Sequence, residues 1–325
     1  MPHPTGERQR APYCPFDIET DLTRIGFTVV DSTSTFGKLR LYVHRRDLST
    51  RGSLFIHGVA ADSSTWSPLL RALDDSSWDL GNAILVDLPG FGASQNQLGR
   101  MPIPDVGRAI LKASREFGLS EVNLIGHSMG GFLALDMAAR WQDPSHTMSS
   151  VTSTTVFAGS YFAILNTIKH PVTNLRINPR TALLWNAYAT LCRTGAFGQS
   201  IVSTLANLGL AQQLAAPFVA HPQALRRQVA TTLMRQLNPS GVLQTAANGP
   251  AYDASRTWGS IQSPLHAVFA RRDALVTSWD EQQLLDCNPG ASTSWVDDAG
   301  HMMILERPFE CLAASGLPAT IGTPR

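Results

Sequence analysis

Acidic residues are missing from a third of this sequence: no Asp or Glu occurs from Pro144 to Tyr252, although 25 are present in the 325-residue chain. Lysine is nearly missing too, with Lys38, Lys112 and Lys169 against 23 Arg, which reads as compositional bias. Cysteine is scarce. Cys14, Cys192, Cys287 and Cys311 form no C-x-x-C pair and no metal-ligand spacing, so neither a disulfide framework nor a zinc site is suggested. No run reaches the 18 or more apolar residues of a membrane span, and Met1 to Phe16 is polar and Pro-rich without an apolar signal segment. A soluble, cytoplasmic protein is the expectation. The net charge of +1 offers no basic field to collect phosphates, which argues against nucleic acid as a partner. With 43% hydrophobic and 16% charged residues, the chain is too apolar for disorder and long enough for one large domain, with or without an insertion.

What is present is an alternation. Phe27 to Asp31 and Leu39 to His44 read as a hairpin across a turn-like Ser32 to Gly37. Leu54 to Ile56 and Ala83 to Val86 are short, wholly apolar runs of the kind found in buried parallel strands. Helical patterns occupy Thr65 to Leu73 and Val106 to Phe117, the second capped by Asp105 and stopped by Gly118. Val122 to Ile125 is then a strand that feeds into Gly126-His127-Ser128-Met129-Gly130-Gly131, with a helix over Phe132 to Arg140. From about Phe157 to Trp258 only helical patterns occur, among them Thr181 to Arg193, Ile201 to Leu214 and Gln223 to Leu237. Strands return at Leu265 to Ala270 and Thr293 to Val296, and a helix from about Phe309 to Ser315 closes the chain. Alternating strand and helix predicts an α/β fold with a mostly parallel sheet. Its core spans 1–156 and 258–325, and 157–257 is an inserted helical lid.

Serine is a poor nucleophile unless a base takes its proton and the scaffold exposes its oxygen. A sharp strand-to-helix turn gives that exposure, and G-x-S-x-G is its signature because a Cβ at either glycine would strike the neighbouring strand or helix. Gly126-His127-Ser128-Met129-Gly130 fits, between a predicted strand and a predicted helix. Ser128 is the candidate nucleophile. The amide of Met129, at the start of the helix, is a candidate oxyanion donor. Among nine histidines, His301 follows the last strand in a loop at the same sheet edge as Ser128, which makes it the candidate base. His57, the main rival, follows an earlier strand and is expected to shape a loop. Asp273, just after the penultimate strand, is the candidate carboxylate, with Asp297 and Asp298 as alternatives beside His301.

These residues resemble the α/β-hydrolase superfamily, in its serine-nucleophile, esterase-like branch with a helical cap. His57-Gly58, Asp87-Leu88-Pro89-Gly90-Phe91-Gly92-Ala93-Ser94, Gly126 to Gly131, Asp273 and Gly300-His301 stand in that family's order across nearly the whole chain. The resemblance implies an eight-stranded, mostly parallel sheet, a covalent acyl-enzyme and no cofactor. By analogy it also assigns the second oxyanion donor to the amide of Val59. Serine stands where dehalogenase and epoxide-hydrolase relatives carry aspartate, which argues against those two chemistries.

The acid-free stretch holds Lys169, Arg176, Arg180, Arg193, Arg226, Arg227 and Arg235, a charge of +7 set against −6 for the rest. This asymmetry suggests an anionic substrate or an acidic carrier protein; the plainer account is solvated helix faces. Phe157, Tyr161, Phe162, Trp185 and Tyr188 are candidates to line a pocket for a bulky, hydrophobic acyl group. Three functions remain open on these residues: ester or thioester hydrolysis, a carbon–carbon hydrolase, lyase or cyclase on the same scaffold, and a ligand receptor that has the pocket without the turnover.

Overall fold

The chain's structure is a computed structural model that describes residues 11–59, 61–142 and 147–317, together with the backbone of 323–324. The first elements are the hairpin strands β1 (Thr28–Ser34) and β2 (Gly37–His44), then β3 (Arg51–Ile56), α1 (Ser67–Asp75), the short β4 (Trp78–Asp79) and β5 (Ala83–Val86). They are followed by α2 (Ile103–Glu116), β6 (Glu121–His127), α3 (Met129–Arg140) and β7 (Ser150–Phe157). A helical stretch comes next: α4 (Phe162–Lys169), α5 (Asn174–Ile177), α6 (Pro179–Arg193), α7 (Ala196–Leu205), α8 (Ala211–Ala215), α9 (Arg227–Arg235), α10 (Pro239–Ala246) and α11 (Ala254–Trp258). The chain then returns to β8 (Leu265–Ala270), α12 (Ser278–Cys287), β9 (Ser292–Val296), α13 (Met303–Glu306) and α14 (Pro308–Ser315), and β10 (Thr323–Pro324) pairs with β4.

Eight strands form one sheet in the order β1-β2-β5-β3-β6-β7-β8-β9, with antiparallel pairing only at β1–β2 and β2–β5. The sheet is covered on both faces, and the strand period of two deals residues alternately to two cores. Leu54, Ile56, Ile84, Val86 and Leu124 pack with α2 and α3, whereas Phe55, Ala83, Leu85 and Ile125 pack with α1 and α14. This is why the short strands read as unbroken apolar runs. After β3 the chain crosses to one side to make β5, then returns to the other side to make β6. The order therefore reverses around β3, and such a reversal opens a crevice at the carboxyl ends of the strands.

Four expectations need correction. Helix α2 begins at Ile103 with Pro102 as its cap, so Asp105 lies within the first turn, paired to Arg108 at 2.7 Å, and does not cap. The helix expected over Ile201 to Leu214 is broken: Gly209 takes a φ of +92° between α7 and α8. Strand β7 has no counterpart in the sequence reading, because its Ser-Val-Thr-Ser-Thr-Thr-Val-Phe is half hydroxylic; three of its hydroxyls bond to β6 or to the loop before it, from Ser150, Thr152 and Ser153. Phe157 ends that strand, so the helical stretch begins after it. At its far end α11 packs against α3 and α12, with Trp258 fully buried beneath Phe132, and so lies in the helix layer of the sheet.

Candidate active site

At the carboxyl end of β6 the backbone turns sharply, and Ser128 is held at φ 54°, ψ −119°. A non-glycine residue there is strained, by about 1–3 kcal/mol, and persists only where its surroundings over-determine it. The glycines supply that determination. A Cβ on Gly126 would lie 2.4 Å from the Gly130 carbonyl oxygen, and one on Gly130 would lie 1.9 Å from that of Ile56. Only glycine lets α3 start this close to β3 and β6. The Ser128 amide donates to the Phe157 carbonyl at 3.1 Å, and its own carbonyl accepts from Gly131, Phe132 and Ser160.

Ser128, His301 and Asp273 come from the ends of β6, β9 and β8, and all three are buried. The Ser128 hydroxyl donates to His301 Nε2 at 2.8 Å, and His301 Nδ1–H donates to Asp273 Oδ2 at 2.8 Å. The other carboxylate oxygen of Asp273 accepts the amides of Leu275 (2.7 Å) and Val276 (3.2 Å). These bonds fix which face of the carboxylate meets the imidazole. Of the alternatives, Asp298 is engaged elsewhere, with Arg307 at 2.5 Å and with His221, and Asp297 stands beside Arg271.

His57 is accounted for by its own bonds. Its Nδ1–H donates to the Gly58 carbonyl at 2.7 Å and its Nε2 accepts the Leu88 amide at 3.0 Å, so neither nitrogen is available as a base. The ring staples the loop after β3 to the loop after β5. Asp87 does the same from the other side, accepting Ser63 (2.9 Å) and Ala93 (2.8 Å) through its two oxygens. Together they set the course of the chain into Val59. The amide of Val59 and that of Met129 donate to no protein acceptor among the described residues, and both residues line the cavity over Ser128. Met129 also stands at the positive end of the α3 dipole.

Two buried residues beside His301 carry no assignment in the sequence reading. His127 Nε2–H donates to the His301 carbonyl at 2.8 Å, and burial pushes its pKa down to about 3, so it is a neutral brace. Glu306 lies fully buried beneath the loop. Its Oε2 accepts the Gly300 amide (2.9 Å), the Ala220 amide (2.7 Å) and the Tyr13 hydroxyl (2.8 Å). Burial raises its carboxyl from the ordinary 4.5 to about 6. This carboxyl joins the His301 loop to the helical stretch, which also touches it through the Met302 amide on the Phe218 carbonyl. Gly300 is required there, since a Cβ would lie 2.7 Å from Val219 Cα. A wholly apolar helix start, Met303-Ile304-Leu305, interrupted by Glu306 was the available signal.

The cavity over Ser128 is roofed by the helical stretch. Its walls are Ile164, Leu184, Trp185, Leu191, Leu237 and Val242, among other apolar side chains, and no Lys or Arg lines it. Trp185 and Tyr188 face this space. Phe157, Tyr161 and Phe162 do not. Phe157 packs on Trp66, Tyr161 stacks on Phe269 at 5.4 Å, and Phe162 meets Trp258 at 5.0 Å, all in the core. Their aromatic character is spent on packing the start of the insertion against the sheet, a role that apolar patterning alone does not separate from pocket lining.

A family model described as alpha/beta hydrolase fold matches residues 54–308. The chain belongs to the α/β-hydrolase family. Among curated relatives of this α/β-hydrolase, the biotin biosynthesis bifunctional protein BioHC of Cellvibrio japonicus is 27% identical over 80% of this chain and 46% of its own length. The acetyltransferase component of the acetoin cleaving system of Cupriavidus necator is 29% identical over 31% of this chain and 26% of its own. The chain thus spans less than half the length of these two proteins. Among solved structures, the enol-lactonase of Burkholderia xenovorans LB400 superposes with a TM-score of 0.64 at 16% identity, covering 90% of this chain and 98% of that one. Carboxylesterase CesB of Bacillus subtilis gives 0.63 at 20% identity, covering 92% and 93%.

Proposed function

We propose that this α/β-hydrolase cleaves carboxylic esters or thioesters of bulky, uncharged, apolar acids through an acyl-enzyme on Ser128. The single observation that carries the reading is the unbroken chain from the Ser128 hydroxyl through His301 to Asp273, opening beneath an apolar cavity. His301 Nε2 takes the Ser128 proton as Oγ attacks the carbonyl carbon, while Asp273 steadies the resulting imidazolium. The amides of Val59 and Met129 receive the oxyanion, because each is a donor with no protein acceptor. His301 then gives its proton to the departing alcohol or thiol, and water repeats the sequence to release the acid.

The cavity lining weighs against the anionic substrate that the basic stretch suggested. None of the seven basic side chains of the acid-free stretch lines the cavity, so a charged acyl group would be desolvated there without a counter-ion. The same point weighs against a carbon–carbon hydrolase of dicarboxylates. The 2-hydroxy-6-oxononadienedioate/2-hydroxy-6-oxononatrienedioate hydrolase of Paraburkholderia phymatum, 28% identical over 33% of this chain, is named for such a substrate.

A panel of acyl esters with neutral and anionic acids, run on wild type and Ser128→Ala in parallel with labelling by a serine-directed fluorophosphonate, tests the reading. Turnover and labelling of wild type, both lost in the variant, are expected. A folded wild-type chain that neither labels nor turns over would instead favour a receptor. Preferential turnover of the anionic members would refute the substrate class.

A further inference from the structure

The helices that wall the cavity carry a second apolar face that the hydrolytic reading does not use. Of the eleven large hydrophobic side chains exposed among the described residues, eight lie between Val172 and Leu210. Val172 is 77% exposed, Leu183 65%, Phe197 70% and Leu208 73%, with Leu175, Ile177, Ile201 and Leu210 each above 40%. Single exposed apolar residues are ordinary, but a concentration of this kind marks an interaction surface.

The exposed residues follow the helical period. Phe197 and Ile201 are four apart on α7, and Leu208 is seven further on in the helical continuation, so the three share one side. Val202, between them, faces the cavity, as do Leu184, Trp185, Tyr188 and Leu191 on α6 while Leu183 faces outward. Helix α7 is therefore apolar on two sides, which is the pattern of an element with two apolar neighbours, one of them outside the molecule, and α6 adds Leu183 on its exposed side.

Charge identifies that neighbour. Arg176 on α5 and Arg180 and Arg193 on α6 are exposed and form no ion pair among the described residues, and the stretch from Pro144 to Tyr252 contains no acid. A second copy of the chain, meeting this face across a two-fold axis, would set arginine against arginine with nothing to neutralise them. An acidic protein would answer the arginines and leave the more numerous aliphatic side chains without a counterpart. A lipid surface with anionic headgroups answers both.

We propose that the outer face of α5, α6 and α7 docks on an anionic lipid surface. Its apolar side chains enter the acyl boundary, and Arg176, Arg180 and Arg193 lie at the headgroups. Docking in this orientation presents the roof of the apolar cavity to the lipid.

Sedimentation of the full chain with vesicles tests this, comparing phosphatidylcholine alone with a mixture containing phosphatidylglycerol. Binding to the mixed vesicles that weakens with added salt is expected. R176Q/R180Q/R193Q should lower that affinity by about a hundredfold, at roughly fivefold for each charge. F197S/I201S/L208S should lower it at least tenfold while leaving turnover of a soluble short-chain ester unchanged, since none of the three lines the cavity. Absence of binding to anionic vesicles at low salt would overturn the proposal. So would a dimer, seen by light scattering, that the triple serine variant dissolves, or binding to polyglutamate as tight as to vesicles and indifferent to that variant.

Discussion

At the strand ends, Ser128, His301 and Asp273 are locked by bonds of 2.7–3.2 Å, whereas the helices above them meet the same cavity almost entirely through apolar contact. The strand ends need geometry to within fractions of an ångström, and they obtain it from backbone: three strand termini, glycines that admit close approach, and amides that clamp one carboxylate oxygen. The insertion needs only shape, and uses non-directional burial. Changes at the platform should therefore abolish chemistry, and changes in the roof should alter which substrates are chosen.

The sharpest break is Ser128→Ala, which should lower kcat by a factor on the order of 10⁵ while the thermal melt stays put. Steady-state turnover of a favoured ester beside circular dichroism checks it; residual activity near wild type would move the chemistry away from the strand end. Asp273→Asn should cost on the order of 10⁴ in kcat. Its carbonyl oxygen would keep the Leu275 and Val276 amides, leaving the NH₂ group toward His301. Nδ1 must then accept, Nε2 carries the proton, and Ser128 loses its base. NMR of the imidazole nitrogens should show the tautomer reversed, and an unchanged tautomer would sink the argument.

How much of this was legible depended on whether a residue's role leaves a mark on its neighbours in sequence. The Ser128 turn was readable because its sterics demand glycine on both sides, and β5 and the end of β3, Leu54 to Ile56, were readable because strands buried on both faces are wholly apolar. The juxtaposition of His301 and Asp273 with Ser128 follows from strand order, since each lies one loop past a strand that ends at the same edge. Strand β7 was not readable because its hydroxyls satisfy β6 and so hide the apolar period. Trp185 and Tyr161 look alike in sequence, yet one faces the cavity and the other stacks on Phe269; the difference lies in how the insertion folds back, which no local pattern encodes. Glu306 was passed over because its partners, Tyr13, Ala220 and Gly300, are dispersed along the chain.

Glu306 is one of the places where the platform and the roof are joined, so its ionisation tests how tightly they are coupled there. Burial raises its pKa from 4.5 to about 6, and the native chain therefore keeps a proton that the unfolded chain has released. Stability supplied by this group is present below about pH 4.5 and is lost as pH rises through about 6, by about 2 kcal/mol in all. Asp280, buried and raised to about 6 as well, contributes in the same direction, so the informative quantity is the difference between chains. Glu306→Gln keeps a carbonyl oxygen for the Gly300 and Ala220 amides and cannot ionise. Urea unfolding at pH 4.5 and 7 should show a smaller decline for the variant than for wild type; parallel declines would mean that the carboxyl does not titrate in this window.

The smallest effect should come from the roof itself. Trp185 sits on α6 with one face to the cavity and its ring 6.2 Å from that of Tyr188, and neither touches Ser128, His301 or Asp273 by any hydrogen bond. Trp185→Ala removes a wall against which a long acyl chain gains area, a loss that grows with the length of the chain and vanishes for a group too short to reach it. The expected outcome is a fall of about tenfold in kcat/KM for the longest acyl esters, with acetyl esters scarcely changed. Since binding in the roof and geometry at the strand ends are separate contributions, the logarithm of the loss should rise with acyl length. A uniform loss across all lengths would mean that the roof positions Ser128 or His301, and the division between the two regions would have to be redrawn.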